Sequence, residues 1–264
     1  MIMALLLAAV GAFAGVLAGL LGVGGGIVLV PAFYYVFRAL GFDAPDVMQV
    51  CVATSLATIV VTSIRSVQSH HRKGAVDWAI LRGWSPFIAV GAVGGMLAAA
   101  VTSGEALQAI FAVLAMTVAL YMGLGRSHWR LAQEMPGTAG RLSYGPGIGF
   151  LSVLMGIGGG SFGVPFMSLH NVPIHRAVAT AAGFGLAIAV PSVIGFLFAP
   201  VEGAPPYTLG SVNGPAFVII VAMTLITTPY GAALAHRLDP GPLKKVFAVF
   251  LFLVAVNMGW EALT

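Results

Sequence analysis

Two short segments carry the densest chemical signal in the chain: Gly22-Val23-Gly24-Gly25-Gly26, with Pro31 after it, and Gly156-Ile157-Gly158-Gly159-Gly160, with Pro165 after it. Four glycines in five positions exceed what helix packing needs. They also expose backbone that an apolar surround cannot satisfy, so each cluster predicts a break in a buried helix. A helix that restarts after such a break has N–H groups without acceptors and a positive dipole end, which together hold an anion with no charged side chain. Neutral hydroxyls add donors: Thr54 and Ser55 in one half of the chain, Ser161 and Thr180 in the other. The candidate substrate-binding set is therefore Gly22, Gly24, Gly25, Gly26, Thr54, Ser55, Gly156, Gly158, Gly159, Gly160, Ser161 and Thr180. No catalytic residue, metal ligand or cofactor is expected.

Competing patterns carry less. Gly159-Gly160-Ser161-Phe162-Gly163 fits the G-x-S-x-G nucleophile turn, but a serine nucleophile needs a base in reach. His70, His71, His128, His170, His175 and His236 all fall at or beyond the ends of apolar segments, so hydrolysis is not expected. His70 and His71 beside Arg72 and Lys73 read as a solvated basic face. Neither glycine run has the Lys-Ser/Thr of a phosphate-binding loop, which leaves nucleotide binding unsupported. Gly11, Gly15, Gly19, Gly91 and Gly95, spaced by four, read as helix-packing positions. Most of the other mid-segment hydroxyls (Thr58, Thr62, Ser192, Thr227, Thr228) are expected to bond back to the preceding turn.

The elements that position these residues follow from composition. Of 264 residues 59% are apolar and 8% charged, with a mean hydropathy of +1.01, against about 25% charged in a soluble domain. That excludes an ordinary globular protein, a disordered chain and a nucleic-acid binder, and leaves a polytopic membrane protein in a lipid bilayer. Cys51 is the single cysteine and reads as a buried thiol. The N-terminal Met1-Ile2-Met3-Ala4 has no basic leader and is expected to be a retained membrane segment.

The chain repeats itself. An offset of 134 superposes the two glycine clusters, 126 aligns Ala53-Thr54 with Ala179-Thr180, and 136 aligns Gly95 with Gly231 and Met122-Gly123 with Met258-Gly259. This divides the chain into repeat 1 (1–125), a polar cytoplasmic linker (126–142) and repeat 2 (143–264). Each repeat holds a glycine-broken stretch, about 3–37 and 143–169. Three apolar spans follow: about 47–64, 78–101 and 105–125, then 176–199, 211–235 and 243–260. If each broken stretch re-enters, eleven of the 12 Lys and Arg fall on one side; if it crosses, the split is nearly even. Short cytoplasmic loops favour Lys and Arg, which selects re-entry. Corresponding loops also carry opposite charge: Arg65, Arg72 and Lys73 in 65–77, but only Glu202 in 199–210. The expected fold is thus an all-α polytopic membrane protein of two inverted repeats. Each is a glycine-broken, re-entrant or discontinuous helix plus three transmembrane helices, with both termini external.

All 20 charged residues fall in loops or near segment ends, so a buried carboxylate relay is not expected. Protons stand as a candidate coupling ion only through the substrate or peripheral groups. Gly-x-Gly-Gly-Gly-x4-Pro in both halves, Ala53-Thr54-Ser55-Leu56, and Val172-Pro173-Ile174-His175-Arg176-Ala177-Val178-Ala179-Thr180-Ala181-Ala182 resemble the sulfite exporter TauE/SafE family over essentially the full length. The resemblance implies a multi-pass transporter of the bacterial plasma (inner) membrane. Its partner would be a small sulfur-containing oxyanion such as sulfite or an organosulfonate, exported by alternating access. The second half has Ala181 where the first has Ser55, which predicts an asymmetric site. Two alternatives stay open: a passive anion channel on the same fold, and a membrane scaffold or assembly factor that transports nothing.

Overall fold

The structure is a computed structural model describing residues 2–21, 26–124, 130–235 and 240–263. Ten helices occur among the described residues: α1 (Ile2–Leu21), α2 (Gly26–Ala39), α3 (Val47–Arg72), α4 (Trp78–Val101), α5 (Gly104–Leu124), α6 (Thr138–Leu154), α7 (Gly160–Leu169), α8 (Ile174–Leu197), α9 (Gly214–Ala235) and α10 (Pro240–Glu261). A two-stranded hairpin, β1 (Thr208–Leu209) and β2 (Val212–Asn213), precedes α9. Among the described residues, α3, α4, α5, α8 and the Gly214–Gly231 part of α9 are long and apolar enough to span a bilayer. Val113 of α5, Val218 of α9 and Val249 of α10 point outward and exposed, which suits hydrocarbon. The chain is an all-α, multi-pass membrane protein.

Helix α3 is the centre. Every residue from Val47 to Ile59 is buried, and α3 packs on α2, α5, α8 and α9. Around it, α1 lies along α9, α4 along α6, and α5 along α10. Small residues permit the close approaches. A Cβ at Gly15 would run into Thr227 and Thr224, one at Gly91 into the Pro146 backbone, one at Gly149 into Ile88, and one at Gly231 into Val16. Gly11 and Gly95 likewise sit against Met223 and Phe150, so Gly11, Gly15, Gly91 and Gly95 are packing positions as expected, while the surroundings of Gly19 lie outside what the structure describes.

Directions follow from the same contacts. Gly11 faces Ile220 and Gly15 faces Thr224, so α1 and α9 run parallel; Gly145 faces Phe87 and Phe150 faces Gly95, so α6 and α4 do too. Helix α7 doubles back: Phe166 near its end packs on Tyr144, at the start of α6, and on Trp84, at the start of α4. Helix α2 ends beside the end of α10, where Arg38 pairs with Glu261 at 2.9 Å and with Asp43 at 2.8 Å.

One boundary differs from the sequence reading. The apolar run stops near residue 64, yet α3 continues to Arg72. Hydropathy marks the exit from hydrocarbon, not the end of a helix, and residues 65–72 contain no breaker. The stop comes at Gly74, whose φ of +65 suits glycine, with the Gly74 N–H bonded to the His71 carbonyl and the Ala75 N–H to that of His70.

Candidate functional site

The second glycine cluster is a helix stop joined to a helix start. Gly156, at φ +60, ends α6 in a Schellman turn. Its N–H bonds to the Val153 carbonyl at 2.8 Å, and the Ile157 N–H to that of Ser152 at 2.9 Å. Gly159 then caps α7 with no side-chain partner. The first helical bond of α7 runs from the Gly163 N–H to the Gly159 carbonyl at 2.8 Å. The N–H groups of Gly160, Ser161 and Phe162 therefore have no intrahelical acceptor. The Ser161 side chain is 5% exposed and its Oγ has no hydrogen-bond partner. Ser152, in the last turn before the break, is fully buried and its Oγ likewise has no hydrogen-bond partner. A buried hydroxyl without a partner costs free energy, and two of them flank this one break.

Gly22, Gly24 and Gly25 lie outside the described residues. Gly26 opens α2 and meets the second break directly: its Cβ position is 3.0 Å from the Gly156 carbonyl oxygen and 3.1 Å from Ile157 Cα. Ile59, midway along α3, lies between them, 2.9 Å from the Gly26 Cβ position and 3.3 Å from that of Gly158. The two half-helices α2 and α7 thus start in one neighbourhood at the centre of the molecule. The cluster is also closely packed, since a Cβ at Gly159 would lie 2.6 Å from the Ala181 carbonyl oxygen and nearer still to Phe184.

The structure engages the other three sequence candidates in bonds between the halves. Ser55 Oγ donates to the Gly156 carbonyl at 2.7 Å, buried, and so fixes the turn that ends α6. Thr54 Oγ1 accepts the Asn213 N–H at 2.9 Å, and Thr180 Oγ1 accepts the Asp77 N–H at 3.0 Å. Asn213 precedes α9 and Asp77 precedes α4, and their side chains accept further N–H bonds from the first turns of those helices. Asp77 and Asn213 are related by the same 136-residue offset as the helices they start. The two threonines therefore make matching bonds, each from the central helix of one half to the start of a spanning helix in the other.

Asp77, Asn213 and Ser152 were not singled out from the sequence. Asx residues before an apolar run signal helix caps. Their threonine partners lie 103 and 159 residues away, beyond any local pattern. Thr58, Thr62, Ser192, Thr227 and Thr228 bond to carbonyls three or four residues back, as mid-helix hydroxyls do. The first-half counterparts of Ser152 and Ser161 are Ala18 and Ile27, so the extra hydroxyls belong to one break alone.

Against known proteins, a family model described as sulfite exporter TauE/SafE matches residues 7–258. A probable membrane transporter protein of Haemophilus influenzae is 34% identical over 254 residues, covering 94% of this chain and 95% of that one. A probable membrane transporter protein of Methanocaldococcus jannaschii is 26% identical, covering 96% and 94%. One from Bacillus subtilis is 25% identical, covering 98% of each. No solved structure matches.

Proposed function

The chain belongs to the sulfite exporter TauE/SafE family, and from that premise we propose that it is a secondary transporter exporting a small sulfur-containing oxyanion, such as sulfite or an organosulfonate. The observation that carries this is Ser161: a buried, partnerless hydroxyl in the uncapped first turn of α7, where the two broken segments meet. Orphan N–H groups, a helix dipole and a free hydroxyl on one spot form a neutral anion site. Gly158, Gly159, Gly160 and Ser161 contact the anion, with Gly26 beside the turn that precedes them; Gly22, Gly24 and Gly25, outside the described residues, belong to the proposed site by their sequence pattern alone. Thr54, Ser55, Gly156 and Thr180 hold that frame in register.

In this reading the halves 1–125 and 143–264 are inverted repeats joined by the cytoplasmic linker 126–142, in the bacterial inner membrane with both termini external. Support comes from the reciprocal pairing of α1 with α9 and of α4 with α6, and from α7 doubling back along α6. Two matched halves meeting at one central site suit alternating access, in which one bundle rocks against the other. The bonds from Thr54 and Thr180 join the halves at both ends of that contact.

Counterflow tests the proposal. Proteoliposomes loaded with unlabelled sulfite are expected to accumulate external labelled sulfite transiently and saturably. Unsaturable conductance without counterflow would indicate a channel, and no flux of any sulfur oxyanion would remove transport from the account.

A further inference from the structure

Helices α4 and α8 leave an open groove of about 550 Å³ on the outer face of the bundle. Trp78, Ser85 and Ala89 line one wall, and Gly183, Ala187 and Ile194 the other. The walls run from 78 to 89 and from 183 to 194, 12 residues each, so at about 1.5 Å per rise the groove is about 16 Å long. That is about half of a 30 Å hydrocarbon core, the depth of one leaflet. The two helices run in the same direction, because Leu81 packs on Gly183 and Met96 on Gly195. One end of the groove therefore lies deep and the other at the membrane surface.

The surface end is marked by charge. Arg82 is exposed, with its guanidinium 5.5 Å from the centre of the Trp78 ring. At 100° per residue it falls about 40° from Trp78 and about 20° beyond Ala89, at the edge of the groove face of α4. The Trp78 indole N–H donates to His71 Nδ1 at 3.2 Å, which holds the ring at the rim. An apolar channel one leaflet deep, ending in an indole and a guanidinium, is complementary to a single amphiphile with an anionic head.

We propose that this groove is a binding site for an anionic phospholipid, with one acyl chain between α4 and α8 and the phosphate on Arg82. In the topology proposed above the lipid belongs to the inner leaflet, but the site does not depend on what the protein transports. Native mass spectrometry of the purified protein titrated with phosphatidylglycerol or phosphatidylethanolamine tests it. Wild type is expected to retain one phosphatidylglycerol in preference to phosphatidylethanolamine. One surface charge contributes about 1 kcal/mol to anionic lipid binding, so Arg82→Gln should weaken phosphatidylglycerol about fivefold and leave phosphatidylethanolamine unchanged. Ala89→Phe, which fills the groove, should lower occupancy by both. Equal retention of the two lipids by wild type, unaffected by either substitution, would overturn the site. So would efficient disulfide dimerisation of Ile194→Cys in a Cys51→Ser background, which would place a second copy in the groove.

Discussion

Replacing Thr54 by valine separates a frame from a ligand. The side chain keeps its volume and loses only the hydroxyl that accepts the Asn213 N–H at 2.9 Å, both residues being fully buried. The orphaned N–H has no water to turn to, which costs about 1–3 kcal/mol of stability. Thr180→Val removes the matching bond to Asp77, but that bond is only part-buried, so solvent can take its place. Its cost should fall at or below the low end of that range, about 1 kcal/mol. Thr54→Ser retains the acceptor and loses one methyl, a change of about 0.8 kcal/mol. Unfolding midpoints of the purified protein, read by loss of the monodisperse size-exclusion peak on heating, should therefore rank wild type first. Thr180→Val and Thr54→Ser should follow, with Thr54→Val last. Anion affinity in whatever folds should change little. A Thr54→Val protein as stable as wild type but with weakened anion binding would refute the reasoning, and would make the hydroxyl a ligand.

Two further outcomes follow from the geometry. Gly159→Ala should lower stability well beyond Gly147→Ala, because its new methyl meets Ala181 and Phe184 whereas nothing stands within 4 Å of a Cβ at Gly147; equal thermal midpoints would contradict the close packing of the break. Lys73→Cys and Glu202→Cys in a Cys51→Ser background should label from opposite sides with an impermeant maleimide, since both positions are exposed. Their neighbours Gly74 and Gly203 are poor labelling positions, because both hold positive φ, and same-side labelling of the two cysteines would reject inverted repeats.

The sequence was most informative where physics is local. The glycine clusters read as helix breaks because each glycine disfavours a helix by about 1 kcal/mol and four fall in five positions, and α6 does stop at Leu154 and α7 start at Gly160. The predicted span 78–101 coincides with α4, set by Asp77 as cap and by Thr102-Ser103 after it. The length of α3 was missed because its last turns leave the apolar stretch while staying helical. The bonds of Thr54, Ser55 and Thr180 were out of reach for a different reason. They cross between halves, and a hydroxyl at depth looks the same in sequence whether it meets a ligand or a distant backbone. Ser55 ties down the Gly156 carbonyl, whereas Ala181, its counterpart in the second half, carries no hydroxyl to donate.

Ser161→Ala tests the central claim most directly. Its hydroxyl bonds to nothing in the chain, so its removal should leave the anion-free protein as stable as wild type or slightly more so. A hydrogen bond to a charged ligand contributes about 1.5–3 kcal/mol, so sulfite binding should weaken roughly ten- to a hundredfold. Anaerobic calorimetric titration of both proteins with sulfite, set beside their anion-free unfolding midpoints, measures the two effects separately. Weaker binding with undiminished stability is the predicted result. Equal affinity for sulfite in both proteins would contradict the claim that the anion sits at the start of α7.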